Sequence, residues 1–177
     1  IADPRTNSAS FIKLPLVNEN DWATLPALSP QTVTAPSPYW GNQIIWDDPV
    51  SAHQPLMDAS GRVWVGAIQR SLKPLDFCQG SSGNPFGKAY PNATATRGAW
   101  GEDMYDPRTE ELDLIPLCFR TMHEVFGNDK DQTLYGDNGA ETGGVGWLDT
   151  RVWEETHDAA KAEGWCRPII DGKPVPD

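Results

Sequence analysis

Two short units each occur twice in this chain, and no other feature of the sequence restricts its fold as strongly. Residues 1–16 (IADPRTNSASFIKLPL) and 104–117 (MYDPRTEELDLIPL) both place an Asp-Pro-Arg-Thr turn before an alternating segment that ends in Pro-Leu. Residues 53–66 (HQPLMDASGRVWVG) and 123–136 (HEVFGNDKDQTLYG) both lead from a histidine through a short apolar segment and an Asp-containing turn to a strand that closes with a glycine. Turns of this composition between apolar segments indicate that each unit is a β-hairpin.

The two kinds of hairpin alternate along the chain, and one of each kind makes a four-stranded antiparallel sheet. Consecutive copies of such a sheet are the blades of a β-propeller. We therefore predict an all-β fold that is part of a β-propeller of about two and a half blades. In this prediction residues 1–17 are the end of one blade, residues 53–117 are a complete blade with a long insertion, and residues 123–177 are the start of the next blade.

The predicted blades do not complete a ring. A closed propeller has about four to eight blades, so we expect the remaining blades to come from further sequence or from another chain. The chain also opens at Ile1 without an initiator methionine. We expect either that a leader has been removed or that the chain is a piece of a longer protein.

The segments between the hairpins are long. Residues 17–52 are rich in Pro and Trp, and residues 67–99 contain the loop-like run GSSGNPFGKAYPNATATRG. Loops of this length in a compact domain are usually functional or used in assembly. Near the end of the chain, Thr150 as a helix N-cap and Gly164 as a stop signal predict one short inserted helix at residues 151–163.

The charge of the chain restricts its partners. A formal net charge of -11 argues against binding to nucleic acid, whose phosphates require a basic surface. The same charge argues against docking on an anionic membrane surface. No apolar run reaches the roughly 18 residues needed to cross a bilayer, so we also expect no membrane span.

Three cysteines bear on the cellular compartment. Cys78, Cys118 and Cys166 form no CxxC motif, which argues against a zinc knuckle. We favour a Cys78–Cys118 disulfide, because both residues lie near loop ends that flank one strand-rich segment. Such a bridge implies an oxidising compartment, and hence a periplasmic or extracellular protein. The alternative is three buried, inert thiols.

The repeated motifs resemble those of a known family. The pattern His–apolar strand–D-x-x-G-x-V-W-V, followed by D-P-R-T and a strand ending in IPL, resembles the streptogramin-lyase-like (virginiamycin B lyase-like) β-propellers, which are related to NHL-type propellers. In secreted bacterial members with a carboxypeptidase-regulatory-like domain, HQPLMDASGRVWV, CFRTMHEVF and GGVGWLDTRVWEETHDAAKAEGW have counterparts. The resemblance covers most of the chain and is weakest in residues 17–45. It implies the fold more strongly than the reaction, because one fold hosts many functions.

The resemblance also implies where a site would lie. In the streptogramin lyases, a histidine near the start of a blade's innermost strand acts in the site, with a glutamate two residues before it and a divalent metal nearby. His53 and His123 match that histidine. Ser51 and Thr121 stand where the glutamate would be. The resemblance therefore implies a site at the mouth of the central channel that lacks the family's glutamate.

His53 and His123 are the candidate site residues. Neutral imidazole binds zinc, copper, nickel or iron, and imidazole also suits proton transfer at neutral pH. We therefore predict that the two histidines are metal ligands or acid–base groups of a metal-dependent lyase or oxidoreductase acting on a small molecule. The alternative is that each ring only binds a loop carbonyl. The chain is then a non-catalytic binding or assembly module, whose long loops at 17–52 and 67–99 contact a partner.

Other polar residues in the repeats are interpreted as structural. Asp58 and Asp129 lie in turns, where an aspartate accepts hydrogen bonds from nearby backbone amides. Glu124 follows His123 directly and should point the opposite way along a strand. Gln54 takes its place in the other copy, so we do not expect Glu124 to be a catalytic acid.

Two aromatic residues and the third histidine are also expected to be structural. Trp64 and Tyr135 occupy matching strand positions, so we expect both to pack between blades. His157 belongs to the predicted helix, and we expect it on the solvated face of that helix.

Overall fold

A computed structural model describes residues 1–15, 38–39, 41, 50–69, 75–90, 100–137 and 144–174 of the chain. Its strands are β1 (Ala2–Asp3), β2 (Ser8–Ala9), β3 (Val50–Met57), β4 (Val63–Gln69), β5 (Trp100–Asp106), β6 (Glu111–Leu117), β7 (Glu124–Phe126), β8 (Leu134–Asp137), β9 (Val145–Leu148), β10 (Glu163–Cys166), β11 (Ile169–Ile170) and β12 (Lys173–Pro174). Its helices are α1 (Pro85–Ala89), α2 (Thr150–Thr156) and α3 (Ala159–Ala162), with 3-10 turns at Asp76–Cys78 and Gly80–Ser82. Within these ranges no helix is long and apolar enough to span a membrane.

Two four-stranded antiparallel sheets dominate the fold. The first sheet has the strand order β3-β4-β5-β6 and the second has the order β7-β8-β9-β10, so in both sheets consecutive strands are neighbours. The prediction of a mostly β chain with antiparallel four-stranded sheets is confirmed. The first sheet contains the predicted complete unit at 53–117. The second sheet is also complete, because β9 and β10 add to the hairpin that begins near His123.

The Asp-Pro-Arg-Thr turn has the same geometry in both of its copies. The Oδ1 atom of Asp3 accepts hydrogen bonds from the backbone amide of Arg5 at 2.9 Å and from its Nε at 3.1 Å. Asp106 and Arg108 repeat these contacts at 2.9 and 3.0 Å. The fourth residue after each aspartate has a positive φ, 51° in the first copy and 61° in the second. The sequence repeat is therefore a structural repeat of one hairpin turn.

The two hairpins that begin at a histidine also share a turn. The Oδ1 atom of Asp58 accepts hydrogen bonds from the amides two and four residues later, at 2.8 and 3.0 Å. Asp129 does the same at 3.0 and 3.2 Å. The third residue after each aspartate has a positive φ, 83° at Gly61 and 52° at Gln132. The prediction that these aspartates bind turn amides is confirmed.

The loop of the second of these hairpins is longer, and this changes how the histidines correspond. The last residue of β3 in register is Met57, four residues after His53. The last residue of β7 is Phe126, only three residues after His123. Counted back from the turn, the position of His123 first reaches Gln54. Because the register of β3 is irregular between Ala52 and Pro55, His53 and Gln54 together correspond to the position of His123.

The two sheets stack in the same orientation. One row of the first sheet consists of Leu56, Trp64 and Met104. The corresponding row of the second sheet consists of Val125, Tyr135 and Trp147. The rings of Trp64 and Phe126 meet between the sheets, with centroids 6.0 Å apart. Side chains alternate along a strand, and Phe126 points toward the first sheet. The row of Val125, Tyr135 and Trp147 therefore points away from the first sheet, and Val125 is 61% exposed.

The core lies between the two sheets and under the helices. Its largest fully buried apolar side chains are Trp64, Phe86, Ile115, Leu117, Phe119 and Leu148. Gly146 lies against the ring of Phe119, where a Cβ atom would collide. Large rings on one side and glycines on the other allow the sheets to approach closely, which supplies most of the apolar burial that stabilises the fold.

The Cys78–Cys118 disulfide predicted from the sequence is present. It joins the 3-10 turn after residue 75 to the end of β6, with Cα atoms 5.2 Å apart. The segment 75–90 is not the featureless loop expected for 67–99, because Asn84 caps α1 by accepting hydrogen bonds from two backbone amides. The aromatic rings of α1 pack on Trp165, with Phe86 at 5.6 Å. Cys166 is a free, exposed thiol.

The inserted helix differs from the prediction in extent. Instead of one helix at 151–163, α2 ends at His157, whose left-handed backbone (φ 48°) stops it. A second short helix, α3, follows Asp158. Glu163 already pairs with Leu148 in the sheet. A residue in the left-handed conformation ends an α-helix, and the sequence pattern did not reveal that His157 takes this role. The long segment 17–52 lies largely outside the described residues.

Candidate functional site

His53, within β3, and His123, the residue before β7, come together where the second sheet ends. Their ring centroids are 5.1 Å apart and the rings are nearly perpendicular, at 83°. Both histidines are exposed to solvent. The two rings approach each other from β3 and from the start of β7, which belong to different sheets.

The ring of His53 is fixed by the backbone of the neighbouring sheet. Its Nδ1 atom lies 2.6 Å from the carbonyl oxygen of Met122. A carbonyl oxygen only accepts hydrogen bonds, so Nδ1 carries the proton and donates it. In the neutral ring the lone pair is then on Nε2. Among the described residues, none binds that nitrogen.

The ring of His123 is fixed by a carboxylate. Its Nδ1 atom lies 2.9 Å from Oδ2 of Asp137, and its backbone amide donates to Oδ1 of the same residue at 3.1 Å. The amide of Asp137 in turn donates to the carbonyl of His123 at 3.1 Å. Burial raises the pKa of Asp137, but the hydrogen bonds from His123 outweigh this and hold the pKa below its usual value. An ionised Asp137 accepts a hydrogen bond from the Nδ1–H group of His123. The Nε2 atom of His123 is therefore also left as a proton acceptor.

A buried acidic pair lies beneath the histidines. Glu124 is 5% exposed and Glu102, on β5, is fully buried, and their carboxyl groups are within hydrogen-bonding reach of each other. His123, the residue before Glu124, is instead 67% exposed at its side chain. The alternation expected along this strand is therefore observed: His123 faces solvent and Glu124 faces the first sheet.

The surroundings raise the pKa of both carboxyl groups. Burial raises the pKa of Glu102 well above its usual value, and the nearby carboxyl of Glu124 raises it further. Burial also raises the pKa of Glu124, although contacts with Glu102, Thr121 and the Gly66 amide oppose the shift. Gly66 is required here because a Cβ atom would collide with the Glu124 carboxyl and the Thr121 carbonyl.

The backbone around Glu124 is tied to the first sheet by one side chain. The Gln54 amide group donates to the carbonyl of Glu124 at 3.2 Å and accepts from its backbone amide at 3.2 Å. Thr121, just before, donates its hydroxyl to the carbonyl of Gly101 at 3.1 Å. These contacts position the start of β7, and hence His123, relative to the first sheet.

The histidines supply two suitable ligands for a transition metal. Two imidazoles on a tetrahedral metal, with bonds of about 2.0–2.1 Å, have ring centres about 5 Å apart, which agrees with the separation of 5.1 Å. However, no group of three or more His, Cys, Asp or Glu side chains with metal-binding geometry occurs in the described part of the chain. The described residues thus bring two imidazoles close together and do not form a metal site.

Other charged residues singled out in the sequence lie away from this site. Asp131 pairs with Arg151 at 3.1 Å at the opposite end of the hairpin. Asp58 binds Arg62 at 2.6 Å and the indole of Trp64 at 3.0 Å. The ring of His157 rests against Trp153, and the side chain is exposed as predicted.

Sequence reasoning missed Asp137 and Glu102. Asp137 is the last residue of β8, and the pairing within the hairpin could have identified it. Because Glu124 pairs with Gly136 in an antiparallel hairpin, Asp137 lies beside His123. Glu102 carried no such signal, because it reaches the site through the pairing of β5 with β4, which a local pattern does not show.

Comparison of the chain with protein-family models, with curated proteins and with solved structures finds no match. The function is therefore argued from the site itself.

Proposed function

We propose that the two stacked sheets are consecutive blades of a β-propeller in a secreted protein. The same strand order, the same orientation and the repeated turns support this arrangement. The outer surfaces also support it, since Val125 on the second sheet and Met57 on the first are 61% and 67% exposed. Exposed apolar sheet faces at both ends of a stack are what a ring leaves when neighbouring blades are removed. The disulfide supports a periplasmic or extracellular location.

We propose that His53, His123 and Asp137 form an acid–base centre at the end of the seam between these blades. The observation that carries this proposal is that both Nδ1 atoms are bound by fixed acceptors, so both Nε2 atoms are presented to solvent as proton acceptors. A carboxylate behind a histidine holds the ring and stabilises its protonated form. The exposed position admits a small-molecule substrate.

In the proposed reaction the two imidazoles have complementary roles. His123 accepts a proton from the substrate at Nε2, and Asp137 stabilises the resulting imidazolium. His53, when protonated, returns a proton to the leaving group. This division of roles suits an elimination catalysed by a lyase, in which one group removes a proton and another protonates the departing atom.

A transition metal is a possible addition to this centre. His53 and His123 would hold it through Nε2, as neutral imidazoles hold zinc, nickel, copper or iron, and their bonds to Met122 and Asp137 are the outer contacts that orient such ligands. The metal would supply a Lewis acid for a lyase or a redox centre for an oxidoreductase. Elemental analysis of the purified protein tests this directly, with the His53→Ala, His123→Ala double variant as the control.

Chemical labelling tests the acid–base centre without knowledge of the substrate. Diethyl pyrocarbonate acylates unprotonated imidazole, and peptide mapping measures the rate at each of the three histidines. The rates are measured above about pH 8, where ordinary imidazole is neutral. We expect His123 to react faster than His157 there, because the Asp137 carboxylate bound to Nδ1 makes Nε2 more nucleophilic, and Asp137→Ala to slow its reaction. Asp129→Ala, at the other end of the same hairpin, should leave the rate unchanged. An unaltered rate in Asp137→Ala would contradict the proposed role of Asp137.

A second candidate function is a non-catalytic binding or assembly module. The exposed apolar rows described above favour it, because they are surfaces that another sheet can cover. In this case the histidine contacts only tie the two sheets together. Replacing both histidines by alanine would then lower stability without changing ligand binding, whereas the acid–base proposal requires the loss of a reaction.

A further inference from the structure

A cavity of about 340 Å³ lies beside β10, at one edge of the second sheet. In the strand order β7-β8-β9-β10 this is the edge opposite to β7, so the cavity is separate from the proposed acid–base centre. Small-molecule sites have volumes of about 300–1,000 Å³ and are mostly apolar, with a few polar groups that face the ligand. The cavity beside β10 has both properties.

The walls of the cavity are mostly apolar. The indole of Trp147, on β9, lies against the backbone of Gly164, its cross-strand partner on β10, where a Cβ atom would collide with the ring. Trp165 lines the cavity beside them, and Ala160 of α3 and Pro85 of α1 add further apolar surface. The glycine therefore allows a large aromatic ring to extend over β10 and form one wall.

Two polar side chains, Asn84 and Glu163, line the same cavity. The Nδ2 atom of Asn84 donates a hydrogen bond to Oε1 of Glu163 at 3.3 Å. The backbone amide of Cys118 donates to Oε2 of Glu163 at 2.9 Å. Both donors are neutral, and within the described part of the chain no cationic side chain acts on this carboxyl group.

The charged residues of the neighbouring elements make other contacts or face solvent. Lys161 of α3 pairs with Asp158 at 2.7 Å, and Asp149, after β9, caps α2. Lys88 of α1 is exposed. Arg120, which follows β6, lies over an indole ring at 5.8 Å from its centroid. None of these groups therefore serves as a counterion in the cavity.

We propose that this cavity binds a small organic cation, with the indole of Trp147 against the cation and the carboxylate of Glu163 as its counterion. The face of an indole ring attracts a cation, most strongly where water is excluded. A partly buried carboxylate without a cationic partner is stabilised when one arrives. The net charge of -11 also raises the concentration of cations near the protein, whereas it repels anions.

Binding of the cation should be coupled to the ionisation of Glu163. Burial raises the pKa of Glu163 to about 7, although the hydrogen bonds from the Cys118 amide and from Asn84 oppose the shift. The cation favours the ionised carboxylate, so it lowers this pKa and displaces a proton when it binds at lower pH. We therefore expect the affinity to be about tenfold lower at pH 6 than at pH 8.

Choline is a suitable probe, because 3,3-dimethylbutan-1-ol is a neutral compound of nearly the same shape, in which carbon replaces the charged nitrogen. Isothermal titration calorimetry at constant ionic strength measures the affinity for both. At pH 8 we expect choline to bind at least about tenfold more tightly than the alcohol, and Glu163→Gln to weaken choline binding about tenfold. Trp147→Leu should weaken it about fivefold. Glu111→Gln removes one negative charge at an exposed position and is the matched control, with unchanged affinity.

Three results would overturn the proposal. The first is that choline does not bind at pH 8, and the second is that the neutral alcohol binds as tightly as choline. The third is that Glu163→Gln binds choline with unchanged affinity, which would place the cation elsewhere. If Glu163→Gln does not fold, the unmodified chain provides the test, because equal choline affinities at pH 6 and pH 8 would contradict the role of Glu163 as the counterion.

Discussion

Asp58 offers the most informative single perturbation of this fold, because the chain contains a built-in control for it. Asp58 and Asp129 occupy the same kind of turn and each accepts hydrogen bonds from two backbone amides. Asp129 is exposed, and within the described part of the chain its side chain accepts hydrogen bonds from these two amides only. Asp58 is buried, and its second oxygen also binds Arg62 Nε at 2.6 Å and the indole nitrogen of Trp64 at 3.0 Å.

The magnitudes follow from what each alanine leaves behind. Asp129→Ala removes two amide contacts in solvent, comparable to the loss of a helix cap, which costs about 1 kcal/mol. Asp58→Ala removes the same contacts and also breaks a buried ion pair, which costs about 3–5 kcal/mol. Arg62 keeps Glu154 at 2.5 Å, so the lower end of that range applies. We expect a total loss of about 4 kcal/mol for Asp58→Ala, about 3 kcal/mol more than for Asp129→Ala.

The assay is urea unfolding followed by tryptophan fluorescence, with both variants and the unmodified chain measured together. Only the midpoint should move, because a change in slope would indicate a different unfolded state. Equal losses of unfolding free energy in the two variants would refute the reasoning. They would mean that the buried contacts of Asp58 add nothing beyond the turn itself.

Three further predictions concern the disulfide, the half-buried Glu163 and two glycines of the sheets. Replacing Cys78 and Cys118 together by serine should lower the free energy of unfolding by about 4 kcal/mol, because the bridge closes a loop of 40 residues in the unfolded chain. Titration of the denatured, unreduced protein should count one free thiol, and three would contradict the bridge. Burial raises the pKa of Glu163 to about 7, so its contribution to stability is complete below about pH 4.5 and is lost as the pH rises to about 7. The melting temperature of Glu163→Gln relative to the unmodified chain should therefore rise over that interval. A difference that stays constant with pH would contradict the pKa shift. Gly66→Ala should cost about 1–3 kcal/mol by overpacking, whereas Gly136→Ala, whose added Cβ would have its nearest neighbour at 3.5 Å, should cost less in the same denaturation assay.

Local patterns predicted the hairpins well because each is specified by a few adjacent residues. An aspartate followed by a residue of positive φ determines a turn without help from the rest of the chain. The bridge between Cys78 and Cys118 was also predictable, since both cysteines flank one strand-rich segment. The end of α2 was not, because a left-handed histidine such as His157 carries no strong local signal.

The candidate site was only half predictable, for a reason that lies in the register of the sheets. His53 and His123 were selected because they repeat in sequence, and they do meet. They meet across adjacent sheets, beside the irregular register of β3 between Ala52 and Pro55, which the repeat alone does not show. Asp137 and Glu102 reach the site through pairing between strands. Residues brought together in this way are recognised only once the register is known.

The tautomers of the three histidines test the central claim most directly. Long-range proton–nitrogen correlation spectra of the imidazole rings, recorded above about pH 8 where ordinary imidazole is neutral, report which ring nitrogen carries the proton. The account predicts that His53 and His123 carry it on Nδ1, bound to Met122 and Asp137, with Nε2 free. His157, which has neither contact, serves as the internal reference. Protons on Nε2 of both His53 and His123 would contradict the account, because neither ring would then present an acceptor to a substrate or a metal.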